Sequence, residues 1–119
     1  MSETRVRYIE RRIGRIKEAL ATIGPMRPGS LTWQYKDPKG KSGAYWQISY
    51  TRAMKSHTEY VRQECVADIR RQMAAYKRFK TLTEQWIDVS IEASKLKMQI
   101  AKKVGSESKK TRYSQVTRG

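Results

Sequence analysis

The chain has 119 residues, of which 26 are Lys or Arg and 11 are Asp or Glu, so its formal net charge is +15 at pH 7. A surplus of this size constrains partners and solubility rather than fold, and it favours a polyanionic partner, nucleic acid ahead of an anionic membrane surface. The alternative is a protein that Lys and Arg simply keep soluble.

One cysteine, Cys65, excludes an intrachain disulfide, and one histidine, His57, leaves no plausible zinc site. The first residues lack the apolar segment of a signal peptide, and no apolar run reaches membrane-spanning length, so we expect a cytoplasmic protein.

An amphipathic helix is predicted first, because apolar residues recur at intervals of three and four. The apolar positions are Val6, Ile9, Ile13, Ile16, Leu20 and Ile23. Ser2 is a suitable N-cap, and the Gly-Pro pair at residues 24–25 ends the helix. Another face carries a basic ridge formed by Arg7, Arg11 and Arg15. Like charges at this spacing repel one another, so the ridge either contacts an external anion or is an ordinary solvated face.

Three short antiparallel strands are predicted next, over residues 31–36, 44–50 and 55–61, with turns near 37–43 and 51–53. Alternation with period two gives each strand an apolar row and a polar row. The apolar row, expected to face the helices, is Leu31, Trp33, Tyr35, Ala44, Trp46, Ile48 and Tyr50. The polar row is Thr32, Gln34, Lys36, Tyr45, Gln47 and Ser49. The third strand alternates less clearly, with His57 and Glu59 on one side and Thr58 and Tyr60 on the other.

A long second helix is predicted over residues 63–103, which contain no Pro or Gly. Its apolar positions are Val66, Ile69, Met73, Tyr76, Phe79, Leu82, Trp86, Val89, Ala93, Leu96 and Ile100. The first helix is about half as long, so one half of the second should lack a partner within the chain, and we expect a second subunit to cover it. The alternative is a frayed distal half, or one folded back near residues 81–83.

Residues 104–119 should form a disordered basic tail. The fold is therefore expected to be α+β, a single α-β-β-β-α domain over residues 1–103.

Catalytic chemistry lacks candidates in this sequence. We find no nucleophile with a base, no paired carboxylates, no metal-ligand set and no glycine-rich phosphate loop, so we expect no enzyme activity, cofactor or metal. Residues 40–42 read Gly-Lys-Ser, like the end of a phosphate-binding loop, but the upstream glycine and the βαβ context are missing. Cys65, beside Val66, should be a buried and inert thiol.

Nucleic-acid binding has better candidates. Side chains of the polar row can donate to and accept from base edges, and basic residues at the hairpin ends could contact phosphates, which together predict a sheet lying in the major groove of B-form DNA. An open antiparallel sheet, however, needs one polar face in any case. The candidate residues are Thr32, Gln34, Lys36, Lys39, Lys41, Tyr45, Gln47, Arg52, Lys55 and His57, with the ridge Arg7, Arg11 and Arg15.

Several short motifs also resemble a known family. They are Pro28-Gly29-Ser30-Leu31, Tyr35, Gly40-Lys41, Tyr45-Trp46, Thr58-Glu59-Tyr60-Val61 and Tyr76-Lys77-Arg78-Phe79. The pattern, over about residues 8–100, resembles small bacterial and phage-borne proteins known as a domain of unknown function, often located near mobile-element genes. Many members carry cysteines where this chain has residues 39–43, so a metal or redox role does not transfer. The resemblance implies no activity, only a setting in which DNA binding is common.

The sequence therefore favours a non-enzymatic, dimeric protein that binds nucleic acid, double-stranded DNA in particular, in a mobile-element or phage setting. One alternative is an RNA-binding accessory subunit of a ribonucleoprotein, in which the basic tail and the arginine ridge follow a folded RNA backbone. Another is a protein-assembly adaptor that docks a partner on the apolar positions of residues 82–100.

Overall fold

A computed structural model of the chain describes the backbone of residues 2–108 and the side chains of residues 3–105. The elements are α1 (Ser2–Ala21), β1 (Ser30–Asp37), β2 (Ser42–Arg52), β3 (Lys55–Val61), a single 3-10 turn (Gln63–Cys65) and α2 (Val66–Ser108). The expected α+β class and element order are confirmed. In the described part of the chain, no helix is long and apolar enough to cross a membrane.

The end of α2 differs from the expectation. The helix continues to Ser108, so residues 104–108 are helical and do not belong to a tail. Extending an existing helix by one residue costs far less than nucleating a new one, which allows the helix to pass through Gly105. The rest of the expected tail, residues 109–119, lies outside the described residues.

The chain divides into two compact units that share α2. Unit one contains α1 and the part of α2 that begins at Leu82. Its buried residues are Ile9 and Ile16 of α1 and Val89 and Ala93 of α2. Half-buried apolar side chains pack around them, namely Ile13, Leu20, Leu82, Trp86 and Leu96. The predicted apolar seam in the distal half of α2 is therefore covered by α1 of the same chain.

Unit two contains residues 22–81, with the sheet and the first turns of α2. Its buried residues are Ile48, Val61 and Val66, and Leu31, Trp46, Ile69 and Met73 pack against them. The first half of α2 is thus covered by the sheet. The expectation that one half of this helix lacks a partner within the chain was wrong, because only the other helix had been considered as a cover.

The sheet has the order β1-β2-β3 with antiparallel pairing throughout. Trp33 lies opposite Trp46, which in turn lies opposite Val61, so the apolar rows of the three strands share one face. The pairing confirms the period-two assignment and extends it to β3. His57 lies opposite Tyr50 and Glu59 opposite Ile48, which places both on the face that α2 covers.

Candidate nucleic-acid interface

The face of the sheet that points away from α2, here called the open face, is polar along all three strands. It presents Thr32, Gln34, Lys36, Tyr45, Gln47, Ser49, Thr51, Ser56, Thr58 and Tyr60. Each of these side chains can form hydrogen bonds through a hydroxyl, amide or ammonium group. None is a carboxylate, and Lys36 is the one charged member. The sequence-predicted Thr32, Gln34, Lys36, Tyr45 and Gln47 are therefore brought together on one surface.

Hydrogen bonds between neighbours orient the amides of the open face. The Nε2 of Gln34 donates to Oγ1 of Thr32 at 3.1 Å, and the Nε2 of Gln47 donates to Oγ of Ser49 at 3.4 Å. The Thr32 hydroxyl donates in turn to the main-chain oxygen of Gln47 at 3.4 Å. An amide has two N–H donors and a carbonyl acceptor, so one such bond leaves capacity for a base edge.

A cavity of about 450 Å³ opens on this face and is lined by Lys36, Gly43, Ala44, Tyr45 and Tyr60. The rings of Tyr45 and Tyr60 lie 6.3 Å apart at 47°. Tyr60 is 68% exposed. Tyr45 is half-buried, so Tyr60 is the exposed ring, and its position beside an ammonium group suits contact with a base and its phosphate.

Basic side chains lie at both ends of the sheet rather than in one cluster. Lys39 and Lys41 are exposed in the β1–β2 turn, which Asp37 closes by accepting a 3.2 Å hydrogen bond from the Gly40 N–H. Arg52 and Lys55 pair at the β2–β3 turn, also exposed. Because the 11 residues of β2 rise about 3.4 Å each, the two turns are roughly 35 Å apart.

His57 belongs to a structural cluster on the α2-covered face. Its ring stacks on Tyr50 with centroids 5.0 Å apart, and the Tyr50 hydroxyl donates to Glu59 at 3.2 Å. Arg27 forms a 2.5 Å ion pair with Glu59 and lies over the Tyr50 ring. The hydrogen bond from Arg27 is the main cause that lowers the pKa of the Glu59 carboxyl. His57 therefore lies on the opposite side of the sheet from Gln34 and Gln47, together with Arg52 and Lys55 by strand alternation.

The arginine ridge lies in unit one. Arg7, Arg11 and Arg15 are exposed on α1, and no ion pair joins them to another described side chain. Their neighbours Arg5 and Glu10 instead pair with Glu92 and Lys97 of α2. The ridge thus retains its positive charge on the helix surface.

Cys65 is exposed, contrary to the expectation of a buried thiol, because it lies in the 3-10 turn before α2. Among the described residues, no group of three or more His, Cys, Asp or Glu could hold a metal ion.

A family model for a domain of unknown function, DUF6788, matches residues 6–71 of the chain. The chain belongs to the DUF6788 family. Comparison with curated proteins and with solved structures gives no match. The DUF6788 match runs from α1 to the first turns of α2, so the open face and the arginine ridge both lie within the family domain. The expectation that the chain belongs to an uncharacterised family is confirmed, over residues 6–71 rather than about 8–100.

Sequence reasoning missed part of the DUF6788 open face. Tyr60, with Thr58 and Ser56, completes the face from β3. The alternation in residues 55–61 already separated Tyr60 from His57, but only the pairing with β2 shows which side is open. The pairing of Tyr60 with Gln47 is the observation that joins it to the predicted residues.

Proposed function

We propose that this DUF6788 protein binds nucleic acid, duplex DNA in particular, through the open face of its sheet, without enzyme activity. The observation that supports the proposal most directly is a face with hydrogen-bonding side chains on all three strands and no carboxylate. A carboxylate would repel the phosphates that flank a groove. Of the two acidic residues in the strands, Glu59 faces α2 and is paired with Arg27, and Asp37 closes a turn.

The dimensions of the sheet agree with groove binding. Adjacent strands are spaced by about 4.8 Å, so the backbones of β1 and β3 are separated by roughly 10 Å. The major groove of B-form DNA is about 12 Å wide and admits β structure. In this arrangement Gln34 and Gln47 would face the base edges, since an amide can form two hydrogen bonds with adenine.

The β1–β2 turn would supply contacts with the DNA backbone, because Lys39 and Lys41 carry exposed cations that can neutralise phosphates. Arg52 and Lys55 of the other turn lie on the α2-covered face by strand alternation, so the expectation that they border the same site is not kept. We also propose a cytoplasmic location, with which the free thiol of Cys65 agrees. A setting among mobile-element or phage genes, implied by the family resemblance, is part of the same proposal.

The first test separates base contacts from phosphate contacts. A preferred duplex is selected from a random pool, and the affinities of variants for it and for random duplex are measured at physiological salt. Gln34→Ala and Gln47→Ala should each weaken binding to the preferred sequence by about 1–3 kcal/mol and leave random duplex nearly unaffected, because base contacts are lost. Lys39→Ala and Lys41→Ala should weaken binding to both duplexes alike.

Gln85→Ala, a change at an exposed position of α2, is the matched control and should have no effect on either duplex. Glutamine variants that bind both duplexes as the wild type does would contradict groove recognition by the open face.

A second candidate function is RNA binding, which the unpaired ridge of Arg7, Arg11 and Arg15 favours. Structured RNA is therefore included as a competitor against duplex DNA. If RNA competes best and reversal of the ridge charges to Glu weakens binding more than the glutamine changes do, the ridge is the site. If neither nucleic acid binds at physiological salt, the protein-adaptor alternative replaces both.

A further inference from the structure

The distal half of α2 carries a second apolar surface that α1 does not cover, here called the free stripe. It consists of Ile87, Ile91, Ser94, Met98 and Ala101, spaced by four, three, four and three residues. Ile87 is 55% exposed, Ile91 49% and Met98 62%. At 3.6 residues per turn this stripe lies on a different side of the helix from Val89 and Ala93, which face α1. The spacing is that of a coiled-coil interface.

The surface beside the free stripe is shaped to receive side chains. A cavity of about 400 Å³ includes Ile87, Ser90 and Ile91 in its lining. Another of about 480 Å³ lies where the free stripe adjoins α1, and its lining includes Ser94 and Met98 of the stripe and Ile13 of α1. Large side chains therefore alternate with depressions over small residues. Knobs-into-holes packing requires this alternation on both partners.

The charges along one flank of the free stripe favour a particular partner. Glu84 and Asp88 lie on the N-terminal part of this flank, and Lys95 and Lys102 lie on its C-terminal part. No ion pair joins any of them to another described side chain. In a second copy that runs in the opposite direction, the same flank presents its lysines where this copy presents its acidic residues. A second copy in antiparallel orientation therefore has complementary charges, whereas in a parallel pair this flank would face the partner's other flank, where Ser90 and Lys97 offer no carboxylate to the lysines.

We propose that two copies of the chain associate through the free stripe, with α2 of one copy antiparallel to α2 of the other. In this pairing Ile91 lies beside Ser94 of the partner subunit, and Ile87 beside Met98 of the partner subunit. Asp88 then lies near the partner's Lys95, and Glu84 near the partner's Lys102. Unit one, whose two helices bury few residues alone, becomes half of a four-helix bundle.

The oligomeric state of the full chain tests the interface. In sedimentation equilibrium at about 0.15 M salt, which screens the repulsion between two chains of charge +15, the wild type should be a dimer. Ile91→Glu buries a charge in the interface and should leave only the 13.9 kDa monomer. Gln99→Glu adds the same charge to α2 outside the free stripe, and this control should remain dimeric. Circular dichroism checks that each variant is folded, which Ile91→Glu should be because the side chain is half exposed.

The orientation is tested with charge swaps that leave the apolar residues unchanged. Asp88→Lys places like charges together at two symmetric positions and should raise the dimer dissociation constant about tenfold. Asp88→Lys combined with Lys95→Asp restores opposite charges in the antiparallel dimer and should return the constant to near the wild-type value.

A wild-type monomer at about 0.1 mM protein would overturn the proposal and leave the free stripe to a different protein. Association that survives Ile91→Glu would overturn this interface. A double swap that dissociates as readily as Asp88→Lys would overturn the antiparallel orientation. These outcomes do not depend on nucleic-acid binding, which is measured separately.

Discussion

Gly29, the residue before β1, is held by a close contact with the core of unit two. Its φ is 141°, and a Cβ built on it would lie 2.8 Å from Cγ1 of Ile48 and 3.1 Å from the main-chain oxygen of Ser49. Ile48 is fully buried, so its side chain has no space into which it could move. Only glycine satisfies both the backbone conformation and the contact.

Gly29→Ala should therefore lower the free energy of unfolding by about 2–3 kcal/mol, since it combines a strained backbone with overpacking. Gly24→Ala is the matched control, because no atom lies within 4 Å of its added Cβ. That change should be neutral, or stabilising by a few tenths of a kcal/mol through a less flexible unfolded chain. Urea unfolding of both variants measures the difference, and equal values would contradict the assigned contact.

At the same scale, turn chemistry limited what the sequence could show. Ala53 and Met54, at the centre of the β2–β3 turn, have positive φ values of 53° and 66°. Two such residues form the tight turns for which Asn-Gly is the usual signal. Arg52-Ala53-Met54-Lys55 carries no such signal, so the sequence placed the end of the second strand at residue 50 rather than Arg52. In contrast, the alternation of large apolar residues in β1 and β2 was sufficient to predict both faces of the sheet.

At the scale of elements, α1 is held to α2 by a small number of buried side chains. Ile9 is 1% exposed and Ile16 6% exposed, and both contact the cluster around Val89. Two ion pairs, Arg5 with Glu92 and Glu10 with Lys97, flank this contact, but their side chains are about half exposed. Exposed pairs of this kind contribute little to stability. The apolar contact should therefore account for most of the docking of α1.

Truncation of Ile9 tests this view of unit one. Ile9→Ala removes buried carbons and leaves a cavity, so it should destabilise unit one by about 2–5 kcal/mol, while Ile9→Val should cost only about 0.5–1.5 kcal/mol. Thermal unfolding followed by circular dichroism measures both changes. If the two variants were equally mild, Ile9 would not lie in a packed core.

The helices also show what the spacing of apolar residues can predict and what it cannot. Intervals of three and four identified the buried and half-buried positions of α1 and of both halves of α2, including the buried Val66 and the half-buried Ile69 and Met73. Periodicity reports which side of a helix is buried and not what buries it. The same spacing therefore arises where the sheet covers α2 and where α1 does. For that reason the sequence suggested a missing partner for a half that is already covered.

At the scale of the whole molecule, the net charge of +15 is the basis for proposing a polyanionic partner, but it does not locate the site. Lys and Arg outnumber Asp and Glu in each of residues 1–28, 29–62, 63–103 and 104–119, so composition alone could not separate the open face from the arginine ridge. What distinguishes the open face is the position of the acidic residues. Glu59 lies on the α2-covered face and Asp37 lies at a turn. These positions can be assigned only when the strand register is known. The polar row was predictable from the sequence. The absence of carboxylates from the open face on all three strands was not.

The salt dependence of binding tests the electrostatic basis of the proposed function. Each phosphate that a Lys or Arg neutralises releases counterions, so the affinity for duplex DNA should fall as salt is added. Six such contacts would give a slope of about −5 in a plot of log affinity against log salt concentration. Lys39→Ala with Lys41→Ala should make this slope shallower by roughly two, because two phosphate contacts are lost. Lys103→Ala, an exposed change in unit one, should leave the slope unaltered. Fluorescence anisotropy titrations at several salt concentrations supply the slopes. An affinity that does not depend on salt concentration would show that no phosphates are contacted, and it would contradict the proposal that the sheet binds nucleic acid.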